Sequence, residues 1–483
     1  MAASFIRLFS YILGLVGFLM LLPAGTALWY GENSLLPVFL IPSVVGIVAA
    51  ISSRAFFRKD ERYFSAADAI WTVGGIWVGI SFFGAIPLYF SGCFTSLTDA
   101  IFESVSGFTT TGASIVANVE GLPKCINLWR CQTHWIGGLG VIALAVAIVP
   151  LVGAGGFRLI KAESSGLDKE KMTAFVSSTA KSLWIIYIAM TLVQVALLYF
   201  TGITLFDSVA HAFSSMGTGG FSTKNASFGA FANPSAEWIC AAFMLLSSVN
   251  YALYYRLCSG RVSEVLKDTE LRVFIGILIL AFVAIFAFSG AGVSARVAVF
   301  QIASIVSSTG FMSEDYLSWA SAAQAVLLVL FFIGGCSGST AGGVKVVRWV
   351  ILFKQMCNDI RRMVHPYRVF TLRLNGASGR EKLVPLVAGF LASYLLIVFI
   401  TTFVGAVCGL DLFTAFTAAA SMVGNVGPAF GSLGPTSNYS ELPAFLKWWY
   451  MFAMLAGRLE IYTIFVLSGR LIASASDVFH KKA

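Results

Sequence analysis

The chain is poor in charged residues: Asp, Glu, Lys and Arg make up only 11% of its 483 residues, against 58% hydrophobic residues. A soluble domain of this length needs far more polar surface to cover its core, so that class is excluded. Apolar runs long enough to cross a bilayer recur along the sequence. We therefore expect an all-α membrane protein that crosses the bilayer many times.

Histidine and cysteine are also scarce, with 4 and 8 residues, and no CxxC pair or Cys/His spacing suits a metal. The cysteines are expected to be small apolar residues, and a disulfide among Cys93, Cys125 and Cys131 has no support. His134 and His211 are isolated from other metal-binding or catalytic residues in the sequence. His211 aligns with Glu103, and both are expected to flank short helices and not to act in catalysis.

Residue sets for catalysis are missing as well. The spans hold no paired carboxylates and no Ser/His/Asp set, and the sequence contains no Walker A motif. These gaps argue against a membrane-embedded enzyme and against a primary pump. We expect no enzymatic activity and no organic cofactor.

Runs long enough to span the membrane begin at ten places. They start near Phe5, Leu36, Ala66, Leu128, Leu183, Trp238, Val273, Ala320, Leu383 and Leu446.

The distribution of positive charge sets the orientation. Most of the 32 Lys and Arg residues lie in connections on one side, of which 345–382 is the longest. The exceptions are Lys124, Arg130, Lys224, Arg296 and Lys447 on the other side, and Arg458 within the last span. By the positive-inside rule the basic side is cytoplasmic and holds both termini. The net charge of +9 is therefore a topology signal, and nucleic acid is not an expected partner.

Four stretches on the outer side are too apolar for loops and too short to cross the membrane. Each is typical of a re-entrant half-helix of about eleven residues followed by a glycine-bearing turn. The stretches are "SLTDAIFESVSGFTTTGAS", "TLFDSVAHAFSSMGTGGFS", "ARVAVFQIASIVSSTGFMS" and "DLFTAFTAAASMVGNVGPAFG". Asp99 and Asp207 are expected to cap the starts of the first two half-helices.

These stretches are four copies of one motif. When Gly112 is set against Gly220, the first two copies align without a gap, and Gly310 and Gly427 bring in the others. Small polar residues precede the glycines at Thr110, Thr218, Ser308 and Asn425, and serines align further back at Ser106, Ser214, Ser304 and Ser421. The pattern predicts two leading helices followed by four units of helix, half-helix, turn and helix.

Four such turns have a shared physical requirement. Irregular backbone at membrane depth survives only where it is buried in protein or lines a wet cavity. If the turns converge on one axis, their carbonyl oxygens form rings that can replace the hydration shell of a cation. Glycine leaves the axis open because it has no Cβ.

The eighth hydrophobic run is interrupted at 334–343 by Gly334, Gly335, Gly338, Gly342 and Gly343. Each glycine in a helix interior costs about 1 kcal/mol against alanine, so we expect no continuous helix there. Two interpretations are open. The stretch is either a packing-driven kink or a flexible intramembrane loop that gates a pore.

A single arginine, Arg458, stands within the last span, where a charge costs about 2.5–3.5 kcal/mol on insertion scales. Glu460, two residues on, points to another face and is not its obvious helix partner. Arg458 either bonds loop carbonyls structurally or places a positive barrier below the four turns.

"FTTTGAS", "SSMGTGGFST", "SSTGF" and "GNVGP" resemble the four filter loops of the TrkH/KtrB/HKT superfamily of potassium and sodium transporters. The resemblance covers the whole length and is strongest to the TrkH-like members, which share the two leading helices. It implies unit boundaries at 1–60 for the leading helices and at 61–160, 161–262, 263–365 and 366–483 for the repeats.

The resemblance also implies roles for individual residues. Ion contacts would come from backbone carbonyls at 110–112, 218–220, 308–310 and 425–427. These residues are Thr110, Thr111, Gly112, Thr218, Gly219, Gly220, Ser308, Thr309, Gly310, Asn425, Val426 and Gly427. Glycine at all four filter positions implies potassium as the transported ion. The glycine-rich stretch 334–343 and Arg458 would form the gate.

Family members imply the setting of the protein. They are homodimers in the bacterial inner membrane, in contact with lipid, and dock a cytosolic nucleotide-binding ring of the TrkA type. The expected function is therefore a potassium-selective conducting subunit for potassium uptake. The alternative is a sodium- or proton-coupled potassium symporter, which would need titratable residues along its pathway.

Overall fold

A computed structural model describes residues 2–56, 66–152, 169–289, 292–376 and 378–461. Within these ranges the regular elements are α-helices joined by loops and short 3-10 turns, so the predicted all-α membrane fold is confirmed. Residues 153–168 and the C-terminal end from 462 lie outside the described residues.

The N-terminal helices are Ala2–Leu19, Leu21–Trp29 and Leu36–Phe56. The helices that flank the four turns are Ala66–Phe90, Lys124–Val152, Lys169–Phe200, Pro234–Ser247, Tyr251–Cys258, Thr269–Ser289, Ser321–Phe331, Val346–Val364, Leu383–Val407 and Ala444–Arg458. The pore helices, as we name the half-helices before the turns, are Leu97–Phe108, Leu205–Met216, Ala295–Val306 and Leu412–Gly424. Short elements are the helix Val262–Leu266 and the 3-10 turns Asn33–Leu35, Ser227–Phe231, Tyr316–Ser318 and Gly431–Leu433.

Among the described residues, six helices are long and apolar enough to span a membrane, or seven if one bent pair counts as a span. That pair, Pro234–Ser247 with Tyr251–Cys258, is bent by 94°. The predicted span near Ala320 is broken, since the helix Ser321–Phe331 has only 11 residues. Ten spans therefore stay a prediction, as do the unit boundaries.

The two leading helices pack backbone to backbone. A Cβ atom at Gly46 would lie 2.6 Å from the carbonyl oxygen of Leu13, and one at Gly17 would lie 2.9 Å from that of Ser43. Small residues allow this close approach, which replaces the hydrophobic driving force that lipid does not supply.

Each pore helix begins at a side-chain cap. The capping residues are Ser96, Thr204, Ser294 and Asp411, whose side-chain oxygens accept backbone N–H groups of the first turn. The prediction that Asp99 and Asp207 are the caps is wrong by three residues. Both lie in the first turn, where a carboxylate favours the positive helix end.

The two misassigned aspartates have other partners. Asp99 receives a hydrogen bond from Lys447 at 2.7 Å, and Asp207 receives one from the Thr204 cap at 2.8 Å. At the fourth pore helix, hydrogen bonds from the Thr414 side chain and backbone lower the pKa of Asp411. That cap is therefore ionised at neutral pH.

All eight cysteines are free, and Cys125, Cys131, Cys240 and Cys336 are buried. These four buried cysteines act as small apolar core residues, as the sequence predicts, whereas Cys258 is exposed. The possible disulfide among Cys93, Cys125 and Cys131 is absent.

Candidate ion-conduction site

The four turns that follow the pore helices share one backbone conformation. In each, a non-glycine residue and the glycine two places later have positive φ. The non-glycine residues are Thr110, Thr218, Ser308 and Asn425, with φ of 53°, 56°, 55° and 53°. The glycines are Gly112, Gly220, Gly310 and Gly427, with φ of 80°, 84°, 79° and 98°. The sequence repeat is thus also a repeat of backbone geometry.

The aligned serines close each turn. The residue between the two left-handed positions donates its N–H to the carbonyl oxygen of the serine in its own pore helix. The bonds are Thr111 to Ser106 at 2.9 Å, Gly219 to Ser214 at 2.8 Å, Thr309 to Ser304 at 2.8 Å and Val426 to Ser421 at 2.9 Å. The helix C-terminal carbonyl is thereby satisfied, as in a Schellman motif.

The four turns meet in a closed ring. A Cβ at Gly112 would lie 1.9 Å from the carbonyl oxygen of Gly219, and one at Gly220 would lie 1.9 Å from that of Thr309. The same relation continues around the ring. A Cβ at Gly310 would lie 2.3 Å from the Val426 oxygen, and one at Gly427 would lie 2.5 Å from the Thr111 oxygen. Each glycine thus abuts a backbone carbonyl of the next turn in chain order, and the fourth returns to the first.

Above this ring lies a cavity open to one side. Its lining includes all four ring glycines. Arg130 and Lys224 contribute positive charge to the wall, and Tyr439 donates its hydroxyl hydrogen to the Gly427 carbonyl at 2.8 Å. The ring therefore forms the floor of one vestibule.

Polar side chains of three turns are fixed by neighbouring groups. The Thr218 and Ser308 hydroxyls donate to the carbonyls just before them, at 2.6 Å each. The Asn425 amide donates to the Thr111 hydroxyl and to the Met454 carbonyl, at 2.9 Å each. These side chains bond to neighbouring groups without occupying the ring.

The two histidines singled out from the sequence support the turns. His134 Nδ1 lies 3.0 Å from the Gly107 carbonyl oxygen, and its Nε2 accepts the Phe221 N–H at 3.2 Å. His211 Nε2 lies 2.9 Å from the Ser222 hydroxyl. Both imidazole side chains are buried, and their hydrogen bonds help to fix the geometry of the turns.

The interrupted run lies directly beneath the ring. Between the helices Ser321–Phe331 and Val346–Val364 the chain forms no helix, and we call residues 332–345 the gate loop, after the gate predicted for 334–343. Its Gly342 N–H donates to the Ser308 hydroxyl at 2.5 Å, and its Gly343 N–H donates to the Gly424 carbonyl at 3.0 Å. The loop is therefore bonded to the third and fourth turns from below.

The loop also contacts the second unit. The Thr340 hydroxyl lies 3.1 Å from the carbonyl oxygens of both Met216 and Ser247. A Cβ at Gly342 would lie 2.3 Å from the Gly424 oxygen, so a side chain there would displace the loop. The loop is therefore both tightly packed and located beneath the ring.

Arg458 is buried and bonds the gate loop. It donates to the Thr340 carbonyl at 2.9 Å and to the Gly137 carbonyl at 3.4 Å. Glu460 pairs with Arg348 instead, as its position on another face requires. Arg458 thus joins one carbonyl of the gate loop, that of Thr340, to one of the helix Lys124–Val152, that of Gly137.

Sequence reasoning missed two anchors of the gate loop. The Glu270 carboxylate accepts the Ser337 N–H at 2.7 Å and the Val347 N–H at 3.0 Å, so it ties the middle of the loop to the first turn of the helix that follows it. At the 94° bend, the Tyr251 N–H donates to the Gly338 carbonyl at 3.1 Å. An acidic residue at a helix start gave no signal of this role, because such residues are common there.

In the part of the chain that the structure describes, no group of three or more His, Cys, Asp or Glu residues could hold a metal ion. The groups that ring the vestibule floor are backbone carbonyls.

Fold and site together define a membrane protein built from four similar units around one ring. Residues 36–479 match the model of the TrkH family of cation transport proteins. The chain is 35% identical over 477 residues to the Trk system potassium uptake protein TrkH of Escherichia coli K12, covering 95% of this chain and 98% of that protein. It is 37% identical over 423 residues to TrkH of Halomonas elongata, covering 85% and 86%.

A solved structure agrees. The crystal structure of the potassium transporter TrkH from Vibrio parahaemolyticus superposes with a TM-score of 0.85 at 33% identity, covering 96% of this chain and 98% of that chain. The chain belongs to the TrkH family of cation transport proteins. It is accordingly a membrane transport protein and not an enzyme.

Proposed function

We propose that the chain is the potassium-conducting subunit of a potassium uptake system in the bacterial inner membrane. The ring of four turns carries this proposal, because a carbonyl oxygen of each turn faces the glycine of the turn before it. The choice of potassium rests on the relatives named potassium uptake proteins and on glycine at all four ring positions.

The selectivity filter is the carbonyl set of the four turns. The carbonyls of residues 110–112, 218–220, 308–310 and 425–427 replace the water around a dehydrated cation. Each turn has two residues with left-handed φ, and one of the two is not glycine, which strains the backbone. The recurrence of this strain in all four turns supports a functional role for them. No charged side chain is required at the ring itself.

The gate is the loop beneath the filter. Its hydrogen bonds to Ser308 and Gly424 place backbone where an ion would leave the filter. Arg458 contributes in two ways, since it anchors the Thr340 carbonyl and adds a positive barrier to cations. Conduction therefore requires the loop to move away from the filter.

Partners follow from the family. The protein forms a homodimer with both termini in the cytoplasm and docks a nucleotide-binding TrkA-like ring. The helix Val346–Val364 leads from the gate loop to basic residues including Arg361 and Arg362. A cytosolic partner acting on this helix would have a short mechanical path to the gate.

Sodium- or proton-coupled symport is the alternative function, because unwound backbone carbonyls also coordinate cations in coupled transporters.

A relative permeability series tests the filter assignment. Purified protein in liposomes should pass potassium in preference to sodium, with rubidium close to potassium. Equal passage of potassium and sodium would overturn the selective filter.

A further inference from the structure

One aligned position in the pore helices supports the filter differently in each unit. The residues at this position are Glu103, His211, Gln301 and Ala418. The first three bond the chain that follows the filter glycine. Glu103 accepts the Ile115 N–H at 3.0 Å, His211 lies 2.9 Å from the Ser222 hydroxyl, and Gln301 donates to the Glu314 carbonyl at 2.9 Å. The fourth unit has an alanine there, and the neighbouring Thr417 hydroxyl accepts the Phe430 N–H at 3.2 Å instead.

Only the first support carries a formal charge. Glu103 pairs with Arg130 at 2.6 Å, and the two side chains are 0% and 1% exposed. A buried ion pair is stable only when its remaining hydrogen-bonding groups are satisfied. Here Glu103 also accepts the Ser114 hydroxyl at 2.9 Å, and Arg130 donates to Asn127 at 3.0 Å.

Arg130 connects two filter turns. It donates to the Ser114 hydroxyl at 3.0 Å, just past the first filter glycine. Its guanidinium carbon also lies 4.4 Å from the centre of the Phe221 ring, just past the second filter glycine. This distance fits a cation–π contact, which is stronger where water is excluded. Arg130 also lines the vestibule, where Glu103 is the counter-charge that faces it.

We propose that Glu103 and Arg130 are positioning residues that hold the first filter turn against the second and thereby set the preference for potassium. The proposal rests on the filter assignment above. Without Glu103, the first turn loses two hydrogen bonds and an uncompensated positive charge stands at the mouth. The turn then relaxes, and potassium loses its advantage over sodium.

Glu103→Gln tests this role with little change of shape, since glutamine occupies the aligned position of the third unit. The potassium-to-sodium permeability ratio should fall about tenfold, because hydrogen bonds to a charged acceptor are stronger than those to a neutral one. Glu237→Gln is the matched control. Glu237 pairs with Arg296 at the start of the third pore helix, away from the filter turns, so its ratio should stay unchanged.

Arg130→Lys is the second variant and serves if Glu103→Gln does not assemble. Lysine keeps the charge but lacks the fork that reaches Glu103 and Ser114 together, so the ratio should fall less. An unchanged ratio in assembled Glu103→Gln or Arg130→Lys overturns the proposal, as does an equal fall in Glu237→Gln. Gly112→Ser, measured in parallel, separates the two claims: if it alters the ratio while Glu103→Gln does not, the filter stands and only the positioning role fails.

Discussion

Two residues of each of the four turns in the proposed filter have left-handed backbone, yet only one of them is glycine. Thr110 and its counterparts bear the strain of a non-glycine residue at positive φ, about 1–3 kcal/mol each. Gly112 faces a harder restriction, because a Cβ there would meet a carbonyl oxygen of the next turn at 1.9 Å. Glycine is therefore needed at this position for space as well as for φ.

Gly112→Ser should shift ion preference toward sodium. The new Cβ must push the Gly219 carbonyl out of the ring, so the potassium-to-sodium permeability ratio should fall about tenfold, or ~1.4 kcal/mol. Permeability ratios in liposomes measure this. Gly92→Ser is the matched control, since Gly92 has φ of 75° but open space around its missing Cβ. A shift of the same size in both variants would mean that backbone strain, not the carbonyl contact, is responsible.

At the scale of elements, one carboxylate joins the middle of the gate loop to the helix that follows it. Glu270 accepts the Ser337 N–H and hydroxyl and the Val347 N–H, at 2.6–3.0 Å. These bonds hold a segment that glycine makes otherwise deformable against the first turn of the next helix. In the proposed gate, the closed position of the loop depends on this carboxylate as well as on Arg458.

Glu270→Gln should raise potassium flux. Loss of the charged acceptor removes about 1.5–3 kcal/mol from the closed arrangement, which corresponds to a roughly tenfold or greater rise in the open population. Deleting residues 337–340 should raise flux further. Tracer flux in liposomes is the measurement. Asp268→Asn is the control, since Asp268 lies two residues away and bonds Leu271 and Asn375 instead. Unchanged flux in the deletion would contradict the gating role.

Pore helices and the break in the eighth run could be predicted from the sequence because repetition and glycine content are local signals. Caps were misplaced by three residues, since Asp99 and Ser96 are both good acceptors near a helix start. The bend after Ser247 and the Glu270 anchor could not be predicted, because each depends on a partner far along the chain. Gly112 was identified by its repeat, whereas its contact with Gly219 required the fold.

At the scale of the whole molecule, the four units differ in side chains but close one ring of backbone. Two of the charged groups near the ring are held by partners: Glu103 is paired with Arg130, and Arg458 is bonded to the Thr340 carbonyl. A coupled symporter needs a titratable group that changes its protonation with each transport cycle. Charged groups that are held by such partners are better suited to a fixed electrostatic role than to a change of protonation in each transport cycle.

Potassium flux should therefore follow the electrochemical gradient of potassium alone. With equal potassium on both sides of a liposome, a gradient of one pH unit should leave the reversal potential at zero. One-to-one proton symport would shift it by about 30 mV, because ~1.36 kcal/mol per pH unit is spread over two charges at ~2.3 kcal/mol per 100 mV. A sodium gradient should likewise cause no shift beyond that given by the measured sodium permeability. A pH-dependent shift near 30 mV would favour symport, and the same recording on empty liposomes excludes proton leak through lipid as its source.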